Sequence, residues 1–243
     1  MRIDADNLNL YDQIWDQWDS MKRWGPTARH TRRFVLQLLD KIPQAFNSFL
    51  DVGCGTGLLL AEVAQRYPHV RLAGSELSQR ALAIARQRVP QAAFFAMDLE
   101  REAAPEPYDV VACIDVLEHI PNDEAALRNL WRSTRYYLIL SVPLGPLFPV
   151  ERERYGHVHG YQRPELEAKV RAAGFRLKHT IQWGFPFYNL HRRMVNALPA
   201  KTTAESSHYS WHKKALAYLL YVLFFLNLSY GGERYYSLWE RIP

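Results

Sequence analysis

The chain of 243 residues has only two cysteines, Cys54 and Cys113, and we expect both at strand ends. So few cysteines argue against a disulfide framework. Long apolar runs are scarce as well, because the one strongly apolar run, residues 215–228, is shorter than the roughly 20 residues of a membrane-spanning helix. Residues 1–20 contain no apolar stretch typical of a signal peptide, so we expect a cytoplasmic protein.

The excess of positive over negative charge is also small. The 30 Lys+Arg residues against 25 Asp+Glu give a formal net charge of +5 and a pI near 9.2. This mild excess favours an anionic partner without naming one. Hydrophobic residues at 48% and charged residues at 23% are ordinary globular usage, so the composition indicates neither a disordered nor a fibrous protein. The length suits one domain with a single core.

Short apolar runs alternate with stretches of helical periodicity along most of the chain. The predicted strands are residues 48–52, 70–73, 92–96, 108–114, 137–142, 175–183 and 233–239. The predicted helices are residues 27–39, 58–66, 78–88, 123–133 and 163–173. Strands that alternate with helices in this way predict an α/β fold with a parallel sheet.

A glycine-rich turn, DVGCGTG at residues 51–57, follows the first predicted strand. Glycines at alternate positions let the backbone bend sharply and bring its amides close to a ligand. The spacing is GxGxG and lacks the GxGxxG pattern that places a pyrophosphate at a helix N-terminus. A nucleoside without a pyrophosphate is therefore the favoured ligand, with a plain tight turn or a nicotinamide site as alternatives.

Acidic residues follow the next strands at the edge where such a ligand would bind. Glu76 lies about 20 residues beyond the turn and could accept hydrogen bonds from both hydroxyls of a ribose. Asp98 could accept one from an adenine amino group, with Leu77 and Leu99 as apolar walls. Asp115 ends the fourth strand. Glu76 or Asp98 taken singly could also be an ordinary solvated acid.

Four strings in this order resemble the class I S-adenosylmethionine (SAM)-dependent methyltransferases, especially their broad small-molecule group. They are DVGCGTG at residues 51–57, SELS at 75–78, MDLE at 97–100 and YDVVACIDVLEHIPN at 108–122. The resemblance spans most of residues 47–185. It implies a Rossmann-like, doubly wound, mostly parallel seven-stranded sheet with helices on both faces, whose last strand lies antiparallel between the fifth and sixth.

The resemblance also implies that SAM is the cofactor and S-adenosylhomocysteine the product. The residues expected to bind it share the carboxyl edge of the sheet: Asp51, Gly53, Cys54, Gly55, Gly57, Glu76, Leu77, Asp98, Leu99, Ile114 and Asp115. The three glycines would contact the methionine part, Glu76 the ribose and Asp98 the adenine. Ile114 and Asp115 would flank the reactive end.

Three histidines lie where the acceptor should arrive: His119 after the fourth strand, and His157 and His159 after the fifth. Transfer to an oxygen requires loss of a proton, and a histidine can supply a base whose pKa lies near working pH. We therefore predict these three as catalytic residues and oxygen as the favoured acceptor atom. The alternative is that His157 and His159 only bond the loop backbone.

A metal site is the other hypothesis for this region. Asp115, Glu118 and His119 resemble the metal-binding cluster of methyltransferases that act on ubiquinone precursors or on small-RNA ends. Carboxylates and an imidazole could hold a divalent cation there. The same string occurs in similar enzymes that use no metal, so we predict none.

The whole chain, 1–243, is predicted as one domain. Its parts are an N-terminal helical lid at residues 1–46, a SAM-binding core at 47–185, a helical insertion at 186–230 and a last strand at 231–243. Trp15, Trp18 and Trp24 would belong to the lid. Minimal members of the resembled family lack the insertion, so we expect it to contribute to substrate selection.

The apolar run at 215–228 is hydrophobic around its whole circumference and follows His212, Lys213 and Lys214. Such a helix must be covered. We expect burial against its own domain or in a homodimer, with peripheral contact to a membrane or to a lipid-linked substrate as the alternative. The triplet HRR at 191–193 is either a solvated helix face or a site for an anionic acceptor.

The sequence therefore predicts a SAM-dependent methyltransferase that acts on a small-molecule acceptor. An anionic or lipid-linked acceptor would be compatible with the charge and the apolar run. An RNA-directed methyltransferase is an alternative, but the arginines are scattered and no nucleic-acid-binding module is recognisable, so nucleic acid is not expected as a partner. A non-catalytic SAM-binding or association protein is the other alternative.

Overall fold

The computed structural model describes residues 15, 18–197 and 209–242, and the structural statements below concern these residues. Most of the first half of the predicted lid, residues 1–14 and 16–17, lies outside them. So do residues 198–208 of the predicted insertion and the last residue of the chain.

A seven-stranded sheet forms the centre of the protein. Its strands are β1 (Ser48–Val52), β2 (Arg71–Ser75), β3 (Ala93–Phe95), β4 (Tyr108–Ile114), β5 (Thr134–Pro143), β6 (Phe175–Trp183) and β7 (Arg234–Arg241). The order is β3-β2-β1-β4-β5-β7-β6, in which β1 to β5 are parallel and β7 is antiparallel to both of its neighbours. The predicted fold is confirmed, including the place of the last strand. β5 begins earlier than predicted because Thr134 already pairs with Tyr108.

Helices pack on the sheet. They are α1 (Pro26–Leu39), α2 (Leu58–Arg66), α3 (Gln79–Arg88), α4 (Asp123–Ser133), α5 (Pro149–Tyr155), α6 (Arg163–Ala172), α7 (Phe187–Ala197) and α8 (Trp211–Leu223). Single 3₁₀ turns follow at Leu117–His119 and Phe224–Leu226, and residues 18–24 are also helical.

Both faces of the sheet are buried, which explains the continuous apolar runs of its inner strands. On β4, Val110 and Ala112 belong to one buried cluster, together with side chains of α1 and α2. Val111 and Cys113 point the other way, into a second cluster with side chains of α4 and α6. The sequence also sets helix starts, since the Ser78 hydroxyl caps α3 by accepting a hydrogen bond from the Ala81 amide at 3.1 Å.

The insertion forms α7 and α8. Arg192 of α7 is buried and donates to Glu151 of α5 at 2.7 Å, while Arg193 pairs with Glu233. Both predicted alternatives for residues 191–193, a solvated face or an anion site, are therefore wrong for the buried Arg192. Arg193 is exposed, as expected of a solvated face, and its guanidinium already pairs with a carboxylate of the chain. α8 packs along α1 and leaves its opposite side exposed. No helix among the described residues is long and apolar enough to cross a membrane.

The packing beneath the glycine turn leads to a prediction for Gly74 in β2. A Cβ atom there would come within 2.8 Å of both Cys54 Sγ and Leu60 Cδ1, and within 2.9 Å of Phe94 Cε1. We expect Gly74→Ala to lower the free energy of unfolding by about 1–3 kcal/mol, because overpacking forces these groups apart. Urea denaturation measures the change, and an unchanged midpoint would contradict the packing described.

Candidate functional site

The glycine turn between β1 and α2 bends back over the end of β2. Gly53, Gly55 and Gly57 have φ angles of 70°, 52° and 76°, a region that L side chains rarely adopt. The amides of Gly53 and Cys54 donate to the Ser75 carbonyl at 2.8 and 2.9 Å. These bonds fix the turn at the carboxyl edge of the sheet, as the sequence predicts.

Cys54 contributes to this turn through its backbone. Its side chain is buried against the core near Gly74, and burial raises the pKa of the thiol well above its usual value. The thiol therefore stays protonated at neutral pH and does not face a ligand on the turn.

Glu76 joins the end of β2 to the turn. One carboxylate oxygen accepts a hydrogen bond from the Gly55 amide at 3.1 Å, and the other accepts from the amides of Leu77 at 2.8 Å and Ser78 at 3.2 Å. Burial raises the pKa of Glu76 in spite of these donors. The oxygen that binds Gly55 keeps a free lone pair, which leaves room for a further donor such as a hydroxyl group.

Asp51 is buried in β1 close to Glu76. Burial, and then the negative charge of Glu76, raise the pKa of Asp51 from 3.8 to about 8. Two neighbouring acids with raised pKa values favour a positively charged ligand, since a cation stabilises their ionised forms. The ammonium group in the methionine part of SAM meets that requirement, so the pair fits the predicted cofactor.

Asp98 lies further along the same edge, after β3. One of its oxygens accepts from the Glu100 amide at 3.1 Å, and the other is 3.2 Å from the Nε of the exposed Arg101. Leu99 points into the core, and its carbonyl accepts a hydrogen bond from Asn129 of α4 at 2.9 Å. The predicted contact of Asp98 with adenine stays a prediction. Asn129, which holds the backbone at Leu99, was not predicted from the sequence.

Asp115 is held by an ion pair. Among the described residues it is the one non-glycine residue with positive φ, at 57°. Both of its oxygens accept from Arg234 of β7, at 2.5 and 2.6 Å, and one also accepts from the Ser141 hydroxyl at 2.6 Å. Burial raises the pKa of Asp115, but Arg234, Lys22 and Ser141 outweigh it, so the pKa lies below its usual value.

The sequence analysis missed both cations near Asp115. Arg234 is the one charged residue among the first six residues of β7, all of which are buried and most of which are aromatic or apolar. A charge in such a strand was a signal that the sequence offered. Lys22 lies in the helical residues 18–24, where no motif marked it. Ile114, the other residue predicted to flank the reactive end, is half-buried at the end of β4.

The buried Glu118 and the half-buried His119 and His157 form a group that we call the histidine cluster. The rings of His119 and His157 lie 4.7 Å apart between centroids and nearly perpendicular. Nδ1 of both histidines and one oxygen of Glu118 are buried without a hydrogen-bond partner in the described part of the chain. Buried polar atoms are normally hydrogen-bonded, so the three point to a bound ligand.

The protonation states of the cluster follow from burial. Burial, and then His157, lower the pKa of His119 to about 3, and burial lowers the pKa of His157 to about 4. Burial, and then the charge of Asp115, raise the pKa of Glu118 to about 8. Both imidazoles are therefore neutral at pH 7, and Glu118 is the group that titrates near neutral pH.

His159 lies beside this cluster. Its Nε2 is 2.9 Å from the Ile120 carbonyl, and its amide donates to the Glu118 carbonyl at 3.2 Å. The structure thus brings together two of the three histidines predicted as catalytic and gives the third a backbone partner. The catalytic roles of all three remain predictions.

The cluster also bears on the metal hypothesis. Ligand atoms of Glu118, His119 and His157 lie within 4.8 Å of one another, close enough to converge on one divalent cation. This set differs from the one considered from sequence, since His157 takes the place of Asp115, whose carboxylate pairs with Arg234. The absence of a metal from this region therefore stays a prediction.

Aromatic side chains connect the glycine turn to the histidine cluster. Trp15 covers Gly55, with Cη2 at 2.8 Å from the position of a Cβ atom there. Trp18 follows at 5.6 Å from Trp15 between ring centroids, and Tyr155 at 6.4 Å from Trp18 and 6.1 Å from His157. We call Trp15, Trp18 and Tyr155 the aromatic row.

The helical residues 18–24, which we call the lid segment, are bonded to the turn. Asp19 accepts from the Thr56 hydroxyl at 2.6 Å and pairs with Arg88 at 2.9 Å. Trp24, predicted with the lid, lies instead on the outside against Lys214 of α8.

Comparisons with known proteins agree with this geometry. Residues 24–180 match the model of a family described as a methyltransferase domain. A ubiquinone biosynthesis O-methyltransferase of Azoarcus sp. is 40% identical over 84 residues, 32% of this chain and 35% of that protein. Another, from Pseudomonas savastanoi pv. phaseolicola, is 29% identical over 187 residues, 68% of this chain and 79% of that protein.

A solved structure, magnesium protoporphyrin IX methyltransferase from Synechocystis PCC 6803 with bound S-adenosylhomocysteine, aligns with a TM-score of 0.57 at 20% identity. The alignment covers 71% of this chain and 91% of that one. At this identity the likeness concerns the fold. The match to the Azoarcus protein covers about a third of its length, so that protein's own activity is not carried over with the match.

The charge of Asp51 leads to a second prediction. Because its folded pKa of about 8 lies above the unfolded value of 3.8, the cost of ionising the buried group accumulates as pH rises between these values. Without ligand, we expect the unfolding free energy of Asp51→Asn minus that of the wild type to increase by about 3 kcal/mol from about pH 6 to pH 9, because only the wild type has to ionise a buried carboxyl group. Denaturant unfolding at both pH values measures it.

Asp109→Asn is the matched control, because that carboxylate is buried but pairs with Arg135 at 2.7 Å. It should destabilise the protein at both pH values. If the unfolding free energies of the wild type and Asp51→Asn differed by the same amount at every pH, the raised pKa of the buried Asp51 would be contradicted.

Proposed function

Since the chain belongs to the methyltransferase domain family and is a SAM-dependent methyltransferase, we propose that it methylates an oxygen atom of a small-molecule acceptor. The observation that carries the choice of oxygen is the histidine cluster, whose buried acceptor atoms have no partner in the described chain. A hydroxyl acceptor brings a proton that such atoms can receive. The relatives named O-methyltransferases support the same atom.

The glycine turn and the acids beside it suit SAM. Gly53, Gly55 and Gly57 shape the turn with positive φ angles, and Asp51 and Glu76 offer negative charge to the ammonium group of SAM and a free lone pair to its ribose. When bound, SAM supplies an electrophilic methyl group on a sulfonium. The chain's own contribution is to position the acceptor, exclude water and receive the proton.

The proton has a defined destination in this proposal. As the new oxygen–carbon bond forms and the carbon–sulfur bond breaks, the hydroxyl proton moves to the cluster. His119 and His157 are neutral and can accept it, but their low pKa values make them weak bases. The Glu118 carboxylate, with a pKa of about 8, is better matched to an alcohol or phenol. We therefore add Glu118 to the predicted catalytic histidines.

The lid segment would close the site. Trp15 lies on the glycine turn, and the aromatic row extends from there to His157. Its rings offer flat apolar walls to an acceptor lying between the turn and the cluster. Water excluded by these rings would strengthen the electrostatic interactions within the site.

Binding of SAM tests the cofactor site directly. We expect Glu76→Ala and Gly55→Val each to weaken SAM affinity at least about 100-fold. The first variant removes a buried charged acceptor, and the second introduces a β-branched side chain at a φ angle of 52°, which such residues rarely adopt. Isothermal titration calorimetry measures the affinity. Glu106→Ala, which breaks an exposed pair with Arg71, should bind like the wild type. Wild-type affinity in both site variants would overturn the assignment.

The pH dependence of methyl transfer tests the base. Glu118 faces Asp115, Arg234, Lys22 and the two cluster histidines. Because its pKa is about 8, we expect the rate to rise with pH and level off above that value. Glu118→Gln should slow the reaction at least about 100-fold and lose this rise.

The measurement is S-adenosylhomocysteine formation with a panel of phenols, alcohols and amines, with the methylated atom identified in the product. Enzyme treated with EDTA should keep its activity. If EDTA abolished activity and magnesium restored it, the histidine cluster would be a metal-binding site and not the proposed base. A product methylated on nitrogen or carbon would contradict oxygen as the acceptor atom.

A further inference from the structure

The outer side of α8 and of the turn that follows it is a large exposed apolar surface. Its side chains, which we call the apolar face, are Trp211, Leu216, Tyr218, Leu219, Val222, Phe225 and Leu226. Trp211 is 72% exposed and Leu219 63%. Single exposed apolar residues are ordinary, but a contiguous set of this size indicates an interaction site.

The helical period explains why these residues share one side. Ala217 and Phe224 are buried on the inner side, and the Tyr221 carbonyl receives the His30 side chain of α1 at 2.9 Å. Leu219 and Val222 then lie on the opposite side of the helix, with Trp211, Leu216 and Tyr218 beside them. The expectation that the domain covers the whole run is therefore wrong for the described chain, which covers only the side that faces α1.

Positive charge surrounds this face. Lys213 and Lys214 open α8, and the Arg29 and Arg33 guanidiniums of α1 lie over the rings of Tyr221, at 3.7 Å, and Phe225, at 4.3 Å. Within the described chain, no carboxylate forms an ion pair with any of these four cations. Residues 209–232 also contain no acidic residue.

Arg29 and Arg33 also line a cavity of about 410 Å³ beside Tyr221. The other arginines there, Arg32 and Arg66, are paired with Glu62 and Asp40. Nε of Arg33 is buried without a partner in the described chain. The cavity thus holds two uncompensated guanidiniums, which bind phosphate groups well.

We propose that α8 lies in the plane of an anionic phospholipid membrane, with the apolar face among the acyl chains and with Arg29 and Arg33 on lipid phosphates. The helix is about 20 Å long, which suits a helix lying in the interface. Basic residues that border an apolar helix face match the negative surface of such a membrane.

Charge favours the membrane over a second copy of the chain. A two-fold dimer brings the same patch of both subunits together. Here it would bring two sets of Arg29, Arg33, Lys213 and Lys214 into one interface to which residues 209–232 add no acid, and close like charges repel. An anionic lipid surface instead compensates all four.

Flotation with lipid vesicles tests the proposal, and no acceptor is needed, so the result is independent of the proposed function. The vesicles are phosphatidylcholine alone, or phosphatidylcholine with about 30% phosphatidylglycerol. We expect the wild type to float with the anionic vesicles, to float poorly with the neutral ones, and to be released by high salt.

Two variants separate the contributions of the apolar face and the cations. Leu219→Glu should lower vesicle affinity at least about tenfold, because it places a charge among acyl chains. The double variant Arg29→Gln, Arg33→Gln should lower affinity for anionic vesicles about 20-fold and leave the weak binding to neutral ones unchanged. SAM affinity, measured on each variant, shows that the protein is folded.

Tyr136→Glu and Arg101→Gln are the controls, since they change an exposed aromatic ring and an exposed cation away from α8. Both should float like the wild type. Absence of wild-type binding to anionic vesicles would overturn the proposal, and so would equal losses in the controls. A dimer in analytical ultracentrifugation that Leu219→Glu dissociates, without vesicle binding, would assign the face to a second copy.

Discussion

The hydrogen bond from the Gly55 amide to the Glu76 carboxylate joins the ends of two neighbouring parallel strands, and the geometry of the site depends on it. Parallel pairing of β1 with β2 and β4 brings Val52, Ser75 and Cys113 into register, so that the segments after these strands meet at one edge. Glu76 then fixes the turn from outside while Ser75 fixes it through backbone bonds. The turn is thereby held at the carboxyl edge of the sheet, where parallel α/β proteins bind their ligands.

Burial gives similar carboxyl groups at this edge different chemistry. Asp51 and Glu118 are buried and neither forms an ion pair within the described chain, so their pKa values rise to about 8. The Asp115 side chain is 20% exposed and Arg234 binds both of its oxygens, so its pKa falls below the usual value. Asp115 thus stays ionised, and its charge in turn raises the pKa of Glu118. One ion pair therefore sets which acid near the acceptor can exchange a proton near neutral pH.

Sequence reasoning predicted those parts of the site that depend on local chemistry. Strand ends, the glycine turn and the position of Glu76 follow from periodicity and from the conformations that glycine alone adopts readily. Contacts between distant segments could not be predicted in the same way. Arg234 meets Asp115 only because β7 inserts beside β5, and His157 meets His119 because the loop after α5 returns to the end of β4. Trp15 had been expected in a lid, but its contact with Gly55 depends on tertiary packing.

The lid segment contacts both the glycine turn and the start of α8. Near its first residues, Asp19 accepts from the Thr56 hydroxyl of the glycine turn and the Ser20 hydroxyl accepts from the Tyr209 amide at 3.2 Å. At its last residue, Trp24 lies under Lys214 of α8. The lid segment therefore shares contacts with the start of α8 and with the cofactor turn. A surface that held α8 would hold these contacts too, and with them the aromatic row that lies between the turn and the histidine cluster. Under the two proposals, the position of α8 would be coupled to closure of the site through these few contacts rather than through the sheet.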